Sequence, residues 1–277
     1  MLFDLAFGRI LKDCSPTHLV VSMDDWSSQV SPTLLLNCRL AGMIVEESPA
    51  VYERLFQRVS CERLQPMDLL LSSSLRGDSR TMAIQAVYTN LLGLLFLALL
   101  SPLLVGVALA VALFSGPGPV LERVECAGFR YIPFRLLRFR TRRRDGSDAM
   151  TRVGRILSRL RLVNLPQLIN VVRGEMALVG PHPVRREFAY YLTDLMPFYS
   201  HRFSVKPGIL GWAQMHVPER IMPASECLRI EYDLYYIKEG SPWLDAQILI
   251  SMLLSGGRGR HTDEGSAEHS GTAPLPC

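Results

Sequence analysis

The sequence predicts an α/β N-terminal fragment followed by a mainly helical, membrane-associated domain. That domain is expected to carry a Pro-broken re-entrant hydrophobic helix and interfacial amphipathic helices. Three observations lead there: a 24-residue stretch without charge from Leu91 to Phe114, a block of arginines directly after it, and alternating strand and helix patterns before it.

The apolar stretch LLGLLFLALLSPLLVGVALAVALF lies in an uncharged run from Thr81 to Leu121. A straight helix of 24 residues is roughly 36 Å long, enough to cross a bilayer core. A soluble helix of that length normally keeps a polar stripe, and this one has none. Ser101-Pro102 sits near its middle. Proline removes a backbone donor and crowds the preceding turn, so the helix is expected to kink or reverse there. Each half alone is too short to span. The segment therefore reads as a kinked span or as a hairpin entering and leaving by one face.

From Glu122 to Arg161, twelve arginines stand against four acids, a local charge of +8 in a chain whose net charge is +4. A basic block beside an apolar segment marks the cytoplasmic side and attracts anionic headgroups. Topology and lipid contact explain it at the simplest level; some of these arginines gripping phosphates is the sharper reading. A nucleic-acid partner is a third option, but no stacking aromatics or DNA-binding motif supports it, and none is expected.

Taken in order, the 277 residues allow one or two domains plus the membrane element. Six scattered cysteines without a C-x-x-C pair read as reduced thiols, neither a disulfide frame nor a zinc site. The first turns carry Asp4, Arg9, Lys12 and Asp13, which is unlike a cleavable signal peptide. Residues 17–75 alternate strand and helix: HLVVSM, the serine-capped SPTLLLNCRLAG, GMIVEE, the capped SPAVYERLFQRV, then MDLLLSSS. That alternation indicates a parallel sheet, and without a G-x-G-x-x-G fingerprint it is assigned no dinucleotide. It begins abruptly, as the back half of a larger Rossmann-like domain would.

Past the arginines, MTRVGRILSRLRLVNLPQLINVVRGEM reads as an amphipathic helix, a stop near Leu165-Pro166 and a second helix to Arg173. Val153, Ile156, Leu157 and Leu160 recur at helical spacing opposite arginines, which suits a membrane surface and equally a soluble core. ALVGPHP is a strand-to-turn segment, VRREFAYYLTDLMPFY a helix, and SVKPGILGWAQM a loop with tight backbone geometry. Residues 223–239 form a helix opened by Pro223, and WLDAQILISMLL is apolar nearly all round. The expected divisions are 1–80, a partial Rossmann-like unit; 82–121, the membrane helix; 122–255, the second domain; and 256–277, a disordered tail rich in glycine, serine and charge.

These pieces together resemble the bacterial sugar transferase family, the monotopic polyprenyl-phosphate phosphoglycosyl transferases. The resemblance covers residues about 82 to 254. It is carried by the apolar segment with its Ser-Pro break, GPGPV at 116–120, RFRT at 138–141 and T-x-x-G-x-x-L at 151–157. LPQLINVVRGEMALVGPHP at 165–183, KPGILGWAQ at 206–214 and YDLYYIKEGSPWLD at 232–245 complete it. The N-terminal region resembles the sensor-like domain of the exosortase-associated exopolysaccharide branch, whose chains normally begin earlier with several membrane helices; against that pattern this sequence reads as N-terminally truncated.

The resemblance implies a helix broken at Ser101-Pro102, re-entering from the cytoplasmic face of a bacterial inner membrane. It also implies an aspartate that attacks a UDP-sugar, releases UMP and passes the phosphosugar to polyprenyl (undecaprenyl) phosphate. A neighbouring glutamate would help hold Mg²⁺. Here the family's S-L-D-E-L-P-Q reads R-L-V-N-L-P-Q at 161–167, so the nucleophile position is Val163 and the metal position Asn164. Valine has no nucleophilic atom, and asparagine is a poor ligand for a hard cation. The family's basic pair and aspartate before the membrane segment are Gln85, Ala86 and Thr89. Val124, Cys126, His182 and Leu210 also depart from its pattern. Arg138, Arg140, Gln167, Arg202 and Lys206 are retained as phosphate or headgroup contacts, and His182 would bind phosphate only when protonated. Two readings stand. One is an active transferase with a substitute nucleophile, Glu175 and Asp148 being the nearest carboxylates. The other is a non-catalytic membrane-bound relative that binds polyprenyl phosphate, a UDP-sugar or an active paralogue. An inactive gene remnant is a third. The Val163-Asn164 pair favours loss of chemistry.

Overall fold

The computed structural model describes residues 16–22, 31–61, 79–143, 149–217 and 223–254. The chain divides into two compact units, Met1–Leu64 and Gln65–Cys277.

In the first unit, β1 (His18–Val21) pairs in parallel with β2 (Ile44–Glu47), with His18 opposite Ile44 and Val21 opposite Glu47. The crossover is α1 (Pro32–Leu40), with proline in its first turn as expected. α2 (Ser48–Phe56) follows β2 directly. The serine caps do not form: Ser31 holds the N-cap position of α1 without a side-chain bond, and Ser48 lies inside α2, whose N-cap is Glu47. Glu46 instead receives two bonds from the Arg54 guanidinium, at 2.6 and 2.8 Å. The expected third strand, MDLLLSSS, and the expected tail fall outside the described residues.

The second unit is built around α3 (Ser79–Phe114), a single helix with Pro102 inside it. The helix continues past Pro102. Pro102 cannot donate to the carbonyl four residues back, Ala98, and the Ser101 hydroxyl donates to that same carbonyl at 2.8 Å. The helix has two faces. Gln85, Thr89, Leu92, Phe96, Leu100, Leu104, Val107, Val111 and Ser115 follow helical spacing along the inner one, where they are buried or packed against buried clusters. Leu99 and Phe114, 69% and 73% exposed, represent an outer face that is mostly apolar, with Ser101 exposed on it.

After α3, β3 (Leu121–Ala127) and β4 (Pro133–Phe139) form an antiparallel hairpin, joined by a 3₁₀ turn at Phe129–Tyr131. This hairpin is absent from the sequence reading, which treats the segment only as a charge block. β6 (Val184–Arg185) adds to the far edge of β3 at Cys126 and Ala127. A second, two-stranded parallel sheet pairs β5 (Ala177–Val179) with β7 (Gly208–Leu210). The remaining helices are α4 (Arg152–Arg159), α5 (Gln167–Val172), α6 (Arg186–Leu195), α7 (Trp212–His216), α8 (Pro223–Glu239) and α9 (Pro242–Leu254).

Among the described residues, two apolar clusters hold the unit. The larger joins Phe134 and Leu136 of β4 to Leu168 and Val171 of α5, Leu178 of β5, Tyr236 of α8 and Ile248 of α9. The smaller joins Val107 and Val111 of α3 to Phe139 and Leu157. Both ends of α3 attach to this same unit. Gln85 Nε2 donates to the Val179 carbonyl at 3.3 Å and to Asp245 at 3.3 Å, and Tyr88 also hydrogen-bonds Asp245. At the other end, Arg140 donates to the carbonyls of Ser115, Gly116 and Pro117 at 3.2, 2.6 and 2.7 Å. These carbonyls continue the negative end of the helix dipole, where a cation is stabilising. Of the cysteines, Cys38 and Cys126 are free thiols as expected, whereas Cys227 is disulfide-bonded and departs from that expectation.

Candidate active site

Residues 163 and 164 lie in a 3₁₀ turn, Leu162–Asn164, between α4 and α5. Three local features place it. The Thr151 hydroxyl accepts from Gly154 N–H at 2.8 Å and starts α4. A side chain at 154 would meet the Thr141 backbone at 2.2 Å, so glycine seats α4 there. Arg161, at φ 57°, then turns the chain. The amphipathic helix therefore stops at Leu160, earlier than the Leu165-Pro166 stop read from the sequence. Leu157 is buried beneath it, while Ile156 and Leu160 point outward among arginines.

Val163 packs against the small apolar cluster of Val107, Val111, Phe139 and Leu157. Asn164 accepts a hydrogen bond from Gln167 Nε2 at 3.0 Å. Gln167 is 1% exposed, and its Oε1 has no partner among the described residues. One turn on, the fully buried Asn170 accepts from Leu137 N–H at 3.1 Å and donates to Arg135 O at 2.8 Å and Glu175 at 2.6 Å. That side chain locks α5 to β4. Glu175, the only substitute nucleophile among the described residues, is thus engaged at the far end of α5; Asp148 lies outside them.

Magnesium does not fit this turn. A hard dication wants several anionic oxygens, and the turn offers one amide oxygen that already accepts from Gln167. Among the described residues no three His, Cys, Asp or Glu side chains gather as a metal site.

A second turn, Gly180–Pro183, follows β5. Gly180 and Gly208 pass so close that a Cβ on Gly208 would lie 2.1 Å from Gly180 N, which explains the tight geometry expected around KPGILG. Where the sequence suggests only a loop, the chain places β7 and α7. Gln214 of α7 accepts from Gly211 N–H at 2.9 Å and approaches His182 Nδ1 at 2.6 Å. Behind the turn lies a buried ion pair, Arg202–Asp233 at 3.0 Å. Arg202 also donates to Tyr199 OH at 2.5 Å and to the His182 carbonyl at 3.1 Å. Burial raises the Asp233 carboxyl to about 6 despite the Arg202 charge beside it. His182 is exposed on one side, yet protein crowds the rest of its ring. That desolvation, then the charges of Arg202 and Arg229, lowers it to about 4.

These placements revise the list of anion contacts. Arg140 and Arg202 are inside the fold and spend their guanidinium groups on carbonyls and Asp233, so both act structurally. Desolvation and the nearby arginine charges favour the neutral form of His182, so the contact expected of a protonated ring is disfavoured near pH 7. Arg138 binds Glu122 through Nε at 3.0 Å on the surface of the hairpin and remains accessible. Lys206 lies over the left-handed turn at Gly174, its Nζ 3.7 Å from where a Cβ there would be. Cys126 is buried, and desolvation pushes its thiol up to about 11, far from a reactive thiolate. Asn170, Gln214 and Asp245 are missed as individual residues by sequence reasoning. All three sit inside the quoted motifs, but only the fold shows what they hold.

The model of a family described as bacterial sugar transferase matches residues 80–256. A UDP-N-acetylgalactosamine-undecaprenyl-phosphate N-acetylgalactosaminephosphotransferase of Aeromonas hydrophila is 33% identical over 230 residues, covering 79% of this chain and 53% of that protein. A UDP-glucose:undecaprenyl-phosphate glucose-1-phosphate transferase of Caulobacter vibrioides is 39% identical over 169 residues, covering 56% and 63%. The exopolysaccharide production protein PSS of Rhizobium leguminosarum bv. phaseoli is 35% identical over 188 residues, covering 61% and 91%. The chain thus spans 53% and 63% of the first two relatives' lengths. With the matched region running from α3 through α9, the chain belongs to the bacterial sugar transferase family.

Proposed function

We propose that this chain is a membrane-seated sugar transferase homologue that recognises UDP-sugar and polyprenyl phosphate but has lost the family's covalent step. The observation that carries this is the 3₁₀ turn: Val163 belongs to an apolar cluster and Asn164 is hydrogen-bonded to Gln167. No carboxylate is offered where the resemblance puts nucleophile and metal ligand. Relatives named as UDP-sugar:undecaprenyl-phosphate transferases supply the substrate class. The site lies beside a helix whose outer face suits lipid.

Seating from the cytoplasmic face of the inner membrane is part of the proposal. A spanning helix would carry its two ends to opposite sides of the bilayer. Here Gln85 and Ser115 both attach to one unit, and an inner stripe packs on that unit between them. This supports re-entrant seating with α4 at the interface. A topology reporter placing residues 79 and 116 on opposite faces of the membrane sinks that part.

The reaction is tested by UMP release from a panel of UDP-sugars with polyprenyl phosphate and Mg²⁺, using detergent-purified protein. The expected result is no turnover. Turnover by the natural sequence overturns the proposal and directs attention to another carboxylate. Activity appearing only in the double variant Val163→Asp with Asn164→Glu shows a site that lost its chemistry alone.

A further inference from the structure

The environment of His182 fixes which ring nitrogen carries the proton. Gly211 N–H can only donate, so the Gln214 atom 2.9 Å away is the amide oxygen. The Gln214 NH₂ group must then face His182 Nδ1, at 2.6 Å. An NH₂ group only donates, so Nδ1 accepts and carries no hydrogen. The remaining proton of a neutral imidazole belongs on Nε2, which has no partner among the described residues. An imidazolium would place two donors head-on at Nδ1.

The charged groups around the ring agree. Arg202, whose guanidinium reaches the His182 carbonyl, and Arg229 of α8 both disfavour a positive ring, while Asp233 and Glu226 are occupied in pairing with those two arginines at 3.0 and 2.8 Å. An N–H donor on Nε2 suits an acceptor oxygen. Resting on the binding reading above, we propose that His182 presents a fixed Nε2–H donor to a phosphate oxygen, and that Gln214 is the positioning residue that selects this tautomer. Binding through this contact is therefore independent of pH across the neutral range, unlike binding through an imidazolium.

The test uses the full chain in nanodiscs with ¹⁵N-labelled histidine, His182 being assigned by loss of its signals in His182→Ala. The expected ring is unprotonated at Nδ1 and unchanged between about pH 8 and pH 6. A ring protonated on Nδ1, or one titrating at its ordinary value, overturns the tautomer assignment while leaving the family reading intact. UDP, polyprenyl phosphate and phosphatidylglycerol-containing discs are the binding probes, so a soluble diphosphate, the acceptor lipid and a plain headgroup are told apart. His182→Ala keeps the backbone carbonyl that Arg202 uses and is expected to weaken one probe about threefold to tenfold, equally at both pH values. Gln214→Glu still accepts from Gly211 N–H but now favours Nδ1–H and a charged ring. That variant is expected to bind the same probe more tightly at pH 6 than at pH 8. Unchanged affinity for all probes in His182→Ala overturns the ligand role. Failure of the parent to bind any probe overturns that role together with the binding reading, with the tautomer judged by its own spectra.

Discussion

The turn Leu162–Asn164 and the turn Gly180–Pro183 both carry residues that, by the resemblance, depart from the family's pattern, yet opposite interiors back them. Behind the first lie Val107, Val111, Phe139 and Leu157, and Val163 extends that apolar surface. Behind the second lie Arg202, Asp233, Glu226 and Arg229, with only partly hydrated polar groups. Valine at 163 is compatible with its surroundings and chemically silent. Histidine at 182 gives up a charge but keeps a donor, because Gln214 orients it. Under the proposed reading, loss of chemistry at one turn therefore says little about loss of recognition at the other.

The comparison is broken most severely by removing the ionic support of the second turn. Arg202→Ala leaves Asp233 buried without its cation, a change that costs about 3–5 kcal/mol in comparable pairs. It also frees Tyr199 OH and the His182 carbonyl. The expected result is a protein that loses its cooperative thermal transition in detergent. An unchanged transition would mean that Asp233 finds other compensation.

Asn170→Ala attacks the framework of the first turn. Three groups, Leu137 N–H, Arg135 O and Glu175, lose a buried partner. An orphaned buried group costs about 1–3 kcal/mol. Loss of hydrogen-exchange protection confined to β4 and α5 is the expected signature. Protection lost equally across the unit would show that Asn170 is not a local lock.

How much of this was legible beforehand differs between the two turns. That 163 offers no nucleophile and 164 no carboxylate is readable from residue types alone, since valine cannot attack a phosphorus centre in any fold. The apolar helix, α8 and α9 are also readable, because their length and composition leave few alternatives. The roles of Arg140 and Arg202 are not, because a charge in the sequence does not show whether it faces carbonyls inside or phosphates outside. The β3–β4 hairpin hid for a related reason. Arginines at 123, 130, 135 and 138 obscure its alternation, and its tip uses Arg130 and Tyr131 at positive φ where a glycine signal is usual. Tyr131 is then held by stacking on Tyr190 and contact with Phe203, a tertiary compensation that no local pattern announces.

Restoring a carboxylate at the first turn sharpens the contrast at smaller cost. Val163→Asp sets a charged group against an apolar cluster, but the site is only half-buried. The expected penalty is about 1 kcal/mol, the lower end for a polar group moved into such surroundings. Adding Asn164→Glu is expected to create Mg²⁺ dependence of the melting temperature that the parent lacks. A double variant blind to Mg²⁺ would show that the turn has moved as well as mutated.

The smallest effect is in the pH dependence of stability, where the second turn contains two opposed groups. His182 is lowered to about 4, so as pH falls below 6.5 the unfolded chain takes up a proton that the fold resists, and stability is lost toward pH 4. Asp233 is raised to about 6, so between 6 and 3.8 the fold takes up its proton first and stability is gained. The two largely offset each other in the parent. His182→Gln removes only the first, so its stability relative to the parent should rise as pH falls through 6.5. The exposed side of the ring keeps water, which holds the difference below about 1 kcal/mol. A relative stability that falls instead would mean His182 gains its proton in the folded state, and the second turn would then be a cationic site after all.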